Sequence, residues 1–183
     1  LPEWAADLPL VLRRAVPVGW YPEMHLSASY QEAPGLIYLS LHPSVLTLAE
    51  AIVHECQHGK LNTLLWLDAV LVNGRTTWTP SPVRPDLRPL MGVLLAVHAF
   101  VPVAAMHLRL QEAGHPLAQG PEFARRRAQV LASNLRGLAI LEELGSPTPV
   151  GARLLQDLRR LHDACAADAP QVPGVDDQAL PAG

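Results

Sequence analysis

One short segment of the sequence combines residue types and a spacing that could do chemistry. It is the HExxH pattern that runs from His54 through Glu55 to His58. Residues four apart lie on one face of a helix, so the two imidazoles could bind one metal ion while the carboxylate contacts a metal-bound water. We therefore predict that His54 and His58 are metal ligands and that Glu55 is catalytic. The alternative is two solvent-facing histidines beside an ordinary surface carboxylate.

The sequence excludes the two commonest ways of completing such a site. Metzincins require Gly and His three and six residues after the second histidine, but Leu61 and Leu64 occupy these positions. Many other peptidases take a glutamate from a second helix. The helix predicted at 90–112 has no acidic residue before Glu112, near its far end.

A histidine in that second helix offers another third ligand. His98 lies four residues before Pro102, and a proline inside a helix removes a backbone hydrogen bond, so we expect a kink there. We favour His98 as the third ligand and keep Asp86 as the alternative. His107, on the opposite face of the helix, is interpreted as structural.

The elements that must position these residues are mostly helical. An apolar run at 36–41 predicts one buried strand. Ser44 is a suitable N-cap for a long helix that should end at Asn73 and Gly74, with the HExxH pattern in its middle. Three more helices are predicted, at about 90–112, 122–144 and 150–167. The predicted fold is therefore mainly α, with a long, zincin-like HExxH helix packed on a second, Pro-kinked helix and a minor β-strand element.

Length and composition predict one catalytic domain over residues 1–183. Its core should span about 30–168, with a flexible tail at 169–183. The 183 residues are 49% hydrophobic and carry a net charge of -3, which argues against disorder and against nucleic-acid binding. The arginines at 125–127 are interpreted as a solvated helix face rather than a phosphate site. The start at Leu1 without methionine suggests processing or truncation.

Cysteine content and hydropathy bear on where the protein works. Cys56 and Cys165 are too few for a disulfide scaffold, and no signal segment opens the chain, so we expect a cytoplasmic protein. The apolar stretch at 90–108 is long enough to cross a membrane. Because it contains histidines and a proline, we interpret it as a buried core helix.

Three blocks of the chain resemble one known family. They are HECQHGKLNTLL from His54, SPVRPDLRPLMGVL from Ser81 and VHAFVPVA from Val97, and they match in that order. Together they resemble the HExxH domain of enzymes that modify ribosomally made peptides, over roughly residues 30–110. That family is understood as 2-oxoglutarate- and Fe(II)-dependent peptide β-hydroxylases.

This resemblance implies a cofactor, a cosubstrate and a partner. Fe(II) would be held by His54, His58 and His98, with open positions for 2-oxoglutarate and dioxygen. A guanidinium grips a carboxylate with two hydrogen bonds, so Arg88, or secondly Arg84, would hold the far end of 2-oxoglutarate. Either arginine could instead cap a helix or pair with Asp86. The partner would be a ribosomally made precursor peptide, with no nucleic acid and no membrane involved.

Other functions remain open from the residues alone. In an ideal helix Glu55 points about 100° away from His54, so it is expected to hold a water, a ligand histidine or the substrate. Gln57 and Asn62 could position the substrate. A zinc-dependent metallopeptidase with Glu55 as general base is the main alternative. A domain that binds a leader peptide and keeps a vestigial metal site is a third.

Overall fold

The structure is a computed structural model that describes residues 2–80 and 86–167. The chain divides into two compact units, of which the first ends at Trp66 and the second begins at Leu67. Helices prevail and the sheet element is small, which confirms the mainly α prediction at this level. The single catalytic domain over 1–183 stays a prediction. The predicted tail at 169–183 lies outside the described residues.

The first unit builds a small sheet beside two helices. In chain order its elements are α1 (Pro2–Val11), β1 (Arg14–Trp20), β2 (Ser27–Ser29), β3 (Leu36–Leu41) and α2 (Val45–Leu65). The central strand is β3, which pairs parallel with β1 and antiparallel with β2. The predicted strand is β3, and its buried residues Ile37 and Leu39 alternate along it, as expected for a strand with one face in the core. Both β2 and β3 contact α2.

Helix α2 begins as predicted but ends early. The hydroxyl of Ser44 accepts a hydrogen bond from the backbone N–H of Thr47, which makes Ser44 the N-cap. The helix ends at Leu65, so the predicted continuation to Asn73 is wrong. The apolar pattern continues beyond Leu65 because Val70 and Leu71 are core residues of the second unit.

A turn at Asp68 replaces the predicted last part of the helix. Val70 has a φ of 60°, which no helix allows, and its N–H donates to the carboxylate of Asp68. Asn73 does not end α2 either. Its side chain donates to the carbonyl of Leu144 and accepts from the N–H of Ser146, tying this segment to the end of another helix.

The second unit is a group of three helices with a short hairpin. Its elements are β4 (Trp78–Pro80), β5 (Leu87–Pro89), α3 (Leu90–Glu112), α4 (Gly120–Leu144) and α5 (Pro149–Ala166). Helix α3 contacts both α4 and α5, and β4 pairs antiparallel with β5. All three predicted helices are therefore confirmed, with ends shifted by two residues at most. The two short strands lie in the Pro-rich segment that precedes α3.

Helix α3 forms the core of this unit. Among the described residues it is the one helix long and apolar enough to cross a membrane, and 67% of its most apolar window is buried within the structure. That burial agrees with its interpretation as a core helix. The helix continues through Pro102. His107 is fully buried with its ring 5.3 Å from that of Phe123, in keeping with a structural role.

Candidate metal centre

His54 and His58 lie side by side on α2. Their ring centroids are 4.4 Å apart and the ring planes are nearly perpendicular, at 83°. Two imidazoles that bind one metal through nitrogens at about 2.0–2.1 Å have ring centres roughly 4.5–5.2 Å apart, so the observed spacing is close to the short end of the range for a shared ion. The Nδ1 atom of His58 is buried and has no hydrogen-bond partner in the described part of the chain. A bond to a metal would satisfy such a nitrogen.

Glu55 is buried beside these histidines and points to the sheet. Glu55 is only 3% exposed, and its Oε2 accepts a 2.6 Å hydrogen bond from the hydroxyl of Ser29 on β2. The alternative of an ordinary surface carboxylate is therefore wrong. The hydrogen bond fixes the direction in which the carboxylate points, and it leaves most of the acceptor positions of the carboxylate open.

Burial sets the protonation of the neighbouring histidine. It lowers the pKa of His58 below the usual 6.5, and the nearby Glu55 opposes this shift by raising it. The neutral imidazole is the form that binds a metal. His58 is therefore prepared for metal binding at a lower pH than a histidine in water.

Sequence reasoning missed three residues near this group. Glu50, 6% exposed, lies one helical turn before His54, and its spacing could have revealed it. His25 is close enough to Glu55 and Glu50 for both to raise its pKa, although burial and then His42 lower it below 6.5 overall. Ser29 had no signal, because its contact with Glu55 spans 26 positions of sequence.

A cavity of about 160 Å³ opens beside Glu55 within the first unit. Its polar edge includes Glu55, Ser29 and Asn62. The rest of the lining is mostly apolar and includes Val11, Ala33, Pro34, Leu36, Ile37 and Trp66. A cavity of about 150 Å³ holds a benzene-sized ring, so this one has room for one side chain of a bound molecule. The placement of Asn62 agrees with its predicted role in positioning a substrate, which stays a prediction.

The remaining predicted site residues belong to the second unit. His98 lies on α3 and is buried, at 9% exposed. Asp86 and Arg88 form an ion pair with 3.5 Å between Oδ2 and Nε. That separation is too long for a good hydrogen bond, and the buried Nε has no hydrogen-bond partner in the described residues. Arg84 lies outside the described residues.

The structure brings together the two histidines and Glu55, and the third ligand stays a prediction. Within residues 2–80 and 86–167, no three His, Cys, Asp or Glu side chains form a group that could hold a metal ion. His98 and Asp86 therefore remain candidates on sequence grounds.

Comparison with known proteins assigns the chain to no family. No protein-family model matches the chain, and no curated protein matches it. The resemblance to peptide β-hydroxylases stays a prediction.

Proposed function

We propose that this chain is an Fe(II)- and 2-oxoglutarate-dependent oxygenase that hydroxylates the β-carbon of a residue in a ribosomally made peptide. The observation that carries the proposal is the imidazole pair of His54 and His58 next to a buried carboxylate that Ser29 holds in place. A solvated helix face would not bury Glu55. The three sequence blocks that resemble peptide hydroxylases direct the choice of chemistry.

Each residue has a defined part in this proposal. His54 and His58 would hold the iron, with His98 as the predicted third ligand, and Arg88 would bind the far carboxylate of 2-oxoglutarate. When bound, iron together with 2-oxoglutarate and dioxygen would supply the oxidising power to hydroxylate a C–H bond. Amino-acid side chains alone cannot carry out this oxidation. The protein is expected to act in the cytoplasm.

Glu55 and its cavity would position the peptide. The carboxylate lines the cavity, and its hydrogen bond to Ser29 uses one of about four acceptor positions. A donor group of the substrate, or a water that the substrate contacts, can use the others. One side chain of the peptide would enter the cavity of about 160 Å³, which places the neighbouring backbone beside the HExxH helix.

Zinc-dependent peptide hydrolysis is the second candidate, and the burial of Glu55 favours it. A general base needs a carboxylate at a fixed position, and Glu55 is 3% exposed with one oxygen bonded to Ser29. In this reading zinc would polarise the scissile carbonyl and Glu55 would take a proton from the attacking water.

Anaerobic reconstitution separates the two candidates. Metal-free protein is loaded with Fe(II) or Zn(II), the bound metal is counted after dialysis, and 2-oxoglutarate is added to the iron form. The oxygenase predicts a weak visible absorption band from the chelated 2-oxo acid, which His54→Ala removes and Gln57→Ala keeps. Tight zinc retention without a band would favour the hydrolase. If His54→Ala and His58→Ala retained both metals, both candidate functions would be refuted.

The ion pair in the second unit tests the cosubstrate role of Arg88. Asp86 occupies the guanidinium only loosely, at 3.5 Å, so Asp86→Asn should keep or improve 2-oxoglutarate binding if Arg88 is the clamp. Arg88→Ala should weaken that binding at least tenfold, because charged hydrogen bonds contribute about 1.5–3 kcal/mol. Titration of the visible band with 2-oxoglutarate measures both variants. Unchanged binding in Arg88→Ala would move the clamp to another residue.

A further inference from the structure

One face of α2 forms a wall of the cavity beside Glu55. The residues of this wall recur three and four positions apart, so they lie on one side of the helix and of the residue that follows its end. They are Glu55, Gly59, Asn62, Thr63 and Trp66. The opposite wall consists of Val11, at the end of α1, and of residues in the segment 29–37, which leads from β2 into β3. The whole cavity therefore belongs to the first unit.

Gly59 leaves this wall open. It lies in the middle of the lining face, between Glu55 and Thr63, where any other residue would direct a side chain towards the cavity. A Cβ at Gly59 meets nothing within 4 Å. Glycine inside a helix lowers stability relative to alanine, so this residue is unfavourable for the helix itself. What it contributes here is space next to the buried carboxylate.

The size and the apolar lining of the cavity suit an aromatic ring. Its volume of about 160 Å³ is close to that of a cavity of about 150 Å³ that binds benzene, so one six-membered ring fits. Tyr30 and Trp66 belong to the lining and are exposed, so the cavity is open to solvent beside them. A ring that enters there can pack edge-on or offset against these two aromatic side chains.

The polar edge of the cavity offers hydrogen bonds to a ligand. Oε2 of Glu55 accepts from the hydroxyl of Ser29. Oε1 accepts no hydrogen bond from the described residues and is still reached by solvent, so a ligand can donate to it. The amide of Asn62, on the same wall, supplies a donor and an acceptor.

A phenol matches this edge better than a plain ring or an ammonium group. Its hydroxyl donates one hydrogen bond, which Oε1 of Glu55 can accept, and it can accept one from the amide of Asn62. A plain benzene ring would cover the carboxylate without giving it a donor, and that is unfavourable. The ammonium of a lysine brings a charge and three donors, which a mostly apolar lining does not satisfy.

We propose that Gly59 opens a specificity pocket for a tyrosine of the peptide, with the ring against the apolar lining and the hydroxyl bound to Glu55. This inference rests on the proposed function in one respect, namely that the ligand is a peptide. The tyrosine selects the peptide, and its position in the pocket places the neighbouring residues of the peptide beside the HExxH helix.

Side-chain analogues test the pocket without any reaction. p-Cresol, toluene and n-butylamine reproduce the side chains of tyrosine, phenylalanine and lysine, and each is titrated into the isotope-labelled full chain. The backbone amide signals of Gly59 and Asn62 and the indole N–H signal of Trp66 report occupancy by NMR. We expect saturable shifts with p-cresol and at least about tenfold weaker binding of toluene, because a site that hydrogen-bonds a hydroxyl rejects the analogue that lacks it. n-Butylamine should leave these signals in place.

Three results of the titrations would overturn the proposal. Equal affinity for p-cresol and toluene would show that the pocket does not recognise the hydroxyl. Tighter binding of n-butylamine would make it a pocket for a cation. Absence of a saturable shift with p-cresol would show that no phenol binds there.

A leucine at position 59 tests the part of the glycine. Gly59→Leu suits the helix and fills the open space, so p-cresol binding should be lost. Lys60→Leu is the matched control, because Lys60 is the next residue of α2 and is not part of the lining. Its ion pair with Asp7 is exposed and contributes little to stability. Equal binding of p-cresol to Gly59→Leu and to Lys60→Leu would place the site elsewhere.

Glu55→Gln tests the hydrogen bond to the hydroxyl. Glutamine has the size of glutamate and keeps an acceptor for Ser29, but it removes the charge that strengthens a hydrogen bond from the ligand. The affinity for p-cresol should fall several-fold, on the order of the difference between charged and neutral hydrogen bonds, while the affinity for toluene should stay the same. An equal fall for both ligands would contradict the role of Glu55 in recognising the hydroxyl.

Failure of this inference and failure of the proposed function are distinguishable. The titrations need no metal, cosubstrate or oxidant. If p-cresol binds but iron with 2-oxoglutarate gives no absorption band, the pocket stands and the oxygenase falls. If the band forms but p-cresol does not bind, the oxygenase stands and the tyrosine pocket falls.

Discussion

The hydroxyl of Ser29 donates a 2.6 Å hydrogen bond to Oε2 of Glu55, which joins the edge strand β2 to the helix that carries the HExxH pattern. Because Glu55 is 3% exposed, this contact determines where a buried carboxylate points. It turns Glu55 towards the sheet and the cavity beside it. The neighbouring His54 and His58 lie one helical turn apart on the same helix, which brings their rings together.

Removal of the Ser29 hydroxyl should therefore destabilise the fold. Ser29→Ala leaves a buried carboxylate without its donor, and an unsatisfied buried group costs about 1–3 kcal/mol. The free energy of unfolding from urea denaturation measures the loss. Ser27→Ala is the matched control, because Ser27 lies on the same strand and is equally half-buried. Equal losses in the two variants would show that the hydrogen bond contributes nothing specific.

Two helical glycines should respond in opposite ways to alanine. A Cβ at Gly151 would collide with the carbonyl oxygen of Val70 and lie 2.8 Å from its carbonyl carbon, and backbone cannot easily move. Gly151→Ala should cost about 1–3 kcal/mol, as overpacking does. A Cβ at Gly59, inside α2, meets nothing within 4 Å. Gly59→Ala should stabilise the protein by up to about 1 kcal/mol, since alanine favours helix.

Thermal and urea unfolding of both glycine variants check this pair. The comparison also tests the turn after α2, because Val70 with its φ of 60° belongs to the segment that replaces the predicted helix. A neutral Gly151→Ala would mean that Val70 does not approach α5 as closely as the structure has it.

Local signals allowed part of this fold to be predicted. Helix α3 begins directly after Pro89 and its C-cap precedes Gly114, so a proline and a glycine in the sequence predict both ends. The imidazole pair of His54 and His58 was equally accessible, since helix geometry alone sets the distance between residues four apart.

Long-range contacts decided the rest. The end of α2 could not be predicted from the sequence, because Val70 and Leu71 continue the apolar spacing of a helix. These two residues are buried as part of the second unit. Strand β1 is exposed along almost all its length and contains Pro17, so it lacks the alternation that marks a strand. The interpretation of the arginines at 125–127 as a solvated helix face is wrong for Arg127, which is 3% exposed. It follows two other arginines, and only packing against α5 distinguishes it from them.

Protonation of a buried histidine should make stability depend on pH. Burial lowers the pKa of His162 below the usual 6.5; Asp163 opposes the shift and Arg159 adds to it. Between the lowered value and 6.5 the unfolded chain binds a proton that the folded chain does not. Stability from this residue is therefore complete above pH 6.5 and is lost as the pH falls through the lowered pKa.

Substitution of His162 should flatten that dependence. The slope that His162 contributes to the unfolding free energy is at most about 1.4 kcal/mol per pH unit, the value for one proton. His162→Leu should remove this slope below pH 6.5, measured by urea denaturation at a series of pH values. His115→Gln, at an exposed position, is the control variant measured alongside it. If His162→Leu keeps the full slope, the pH dependence arises at other histidines.

The third metal ligand can be tested with two buried histidines of the same helix. His98 and His107 both lie on α3, at 9% and 0% exposed, so substitutions there carry similar risks for folding. His98→Gln should reduce iron retained after dialysis to the level of His54→Ala, whereas His107→Gln should retain it. Retained iron in His98→Gln with loss in Asp86→Asn would assign the ligand to Asp86 instead. Because one variant removes an imidazole and the other a carboxylate, the result also decides between a three-histidine site and the two-histidine, one-carboxylate arrangement common in iron oxygenases.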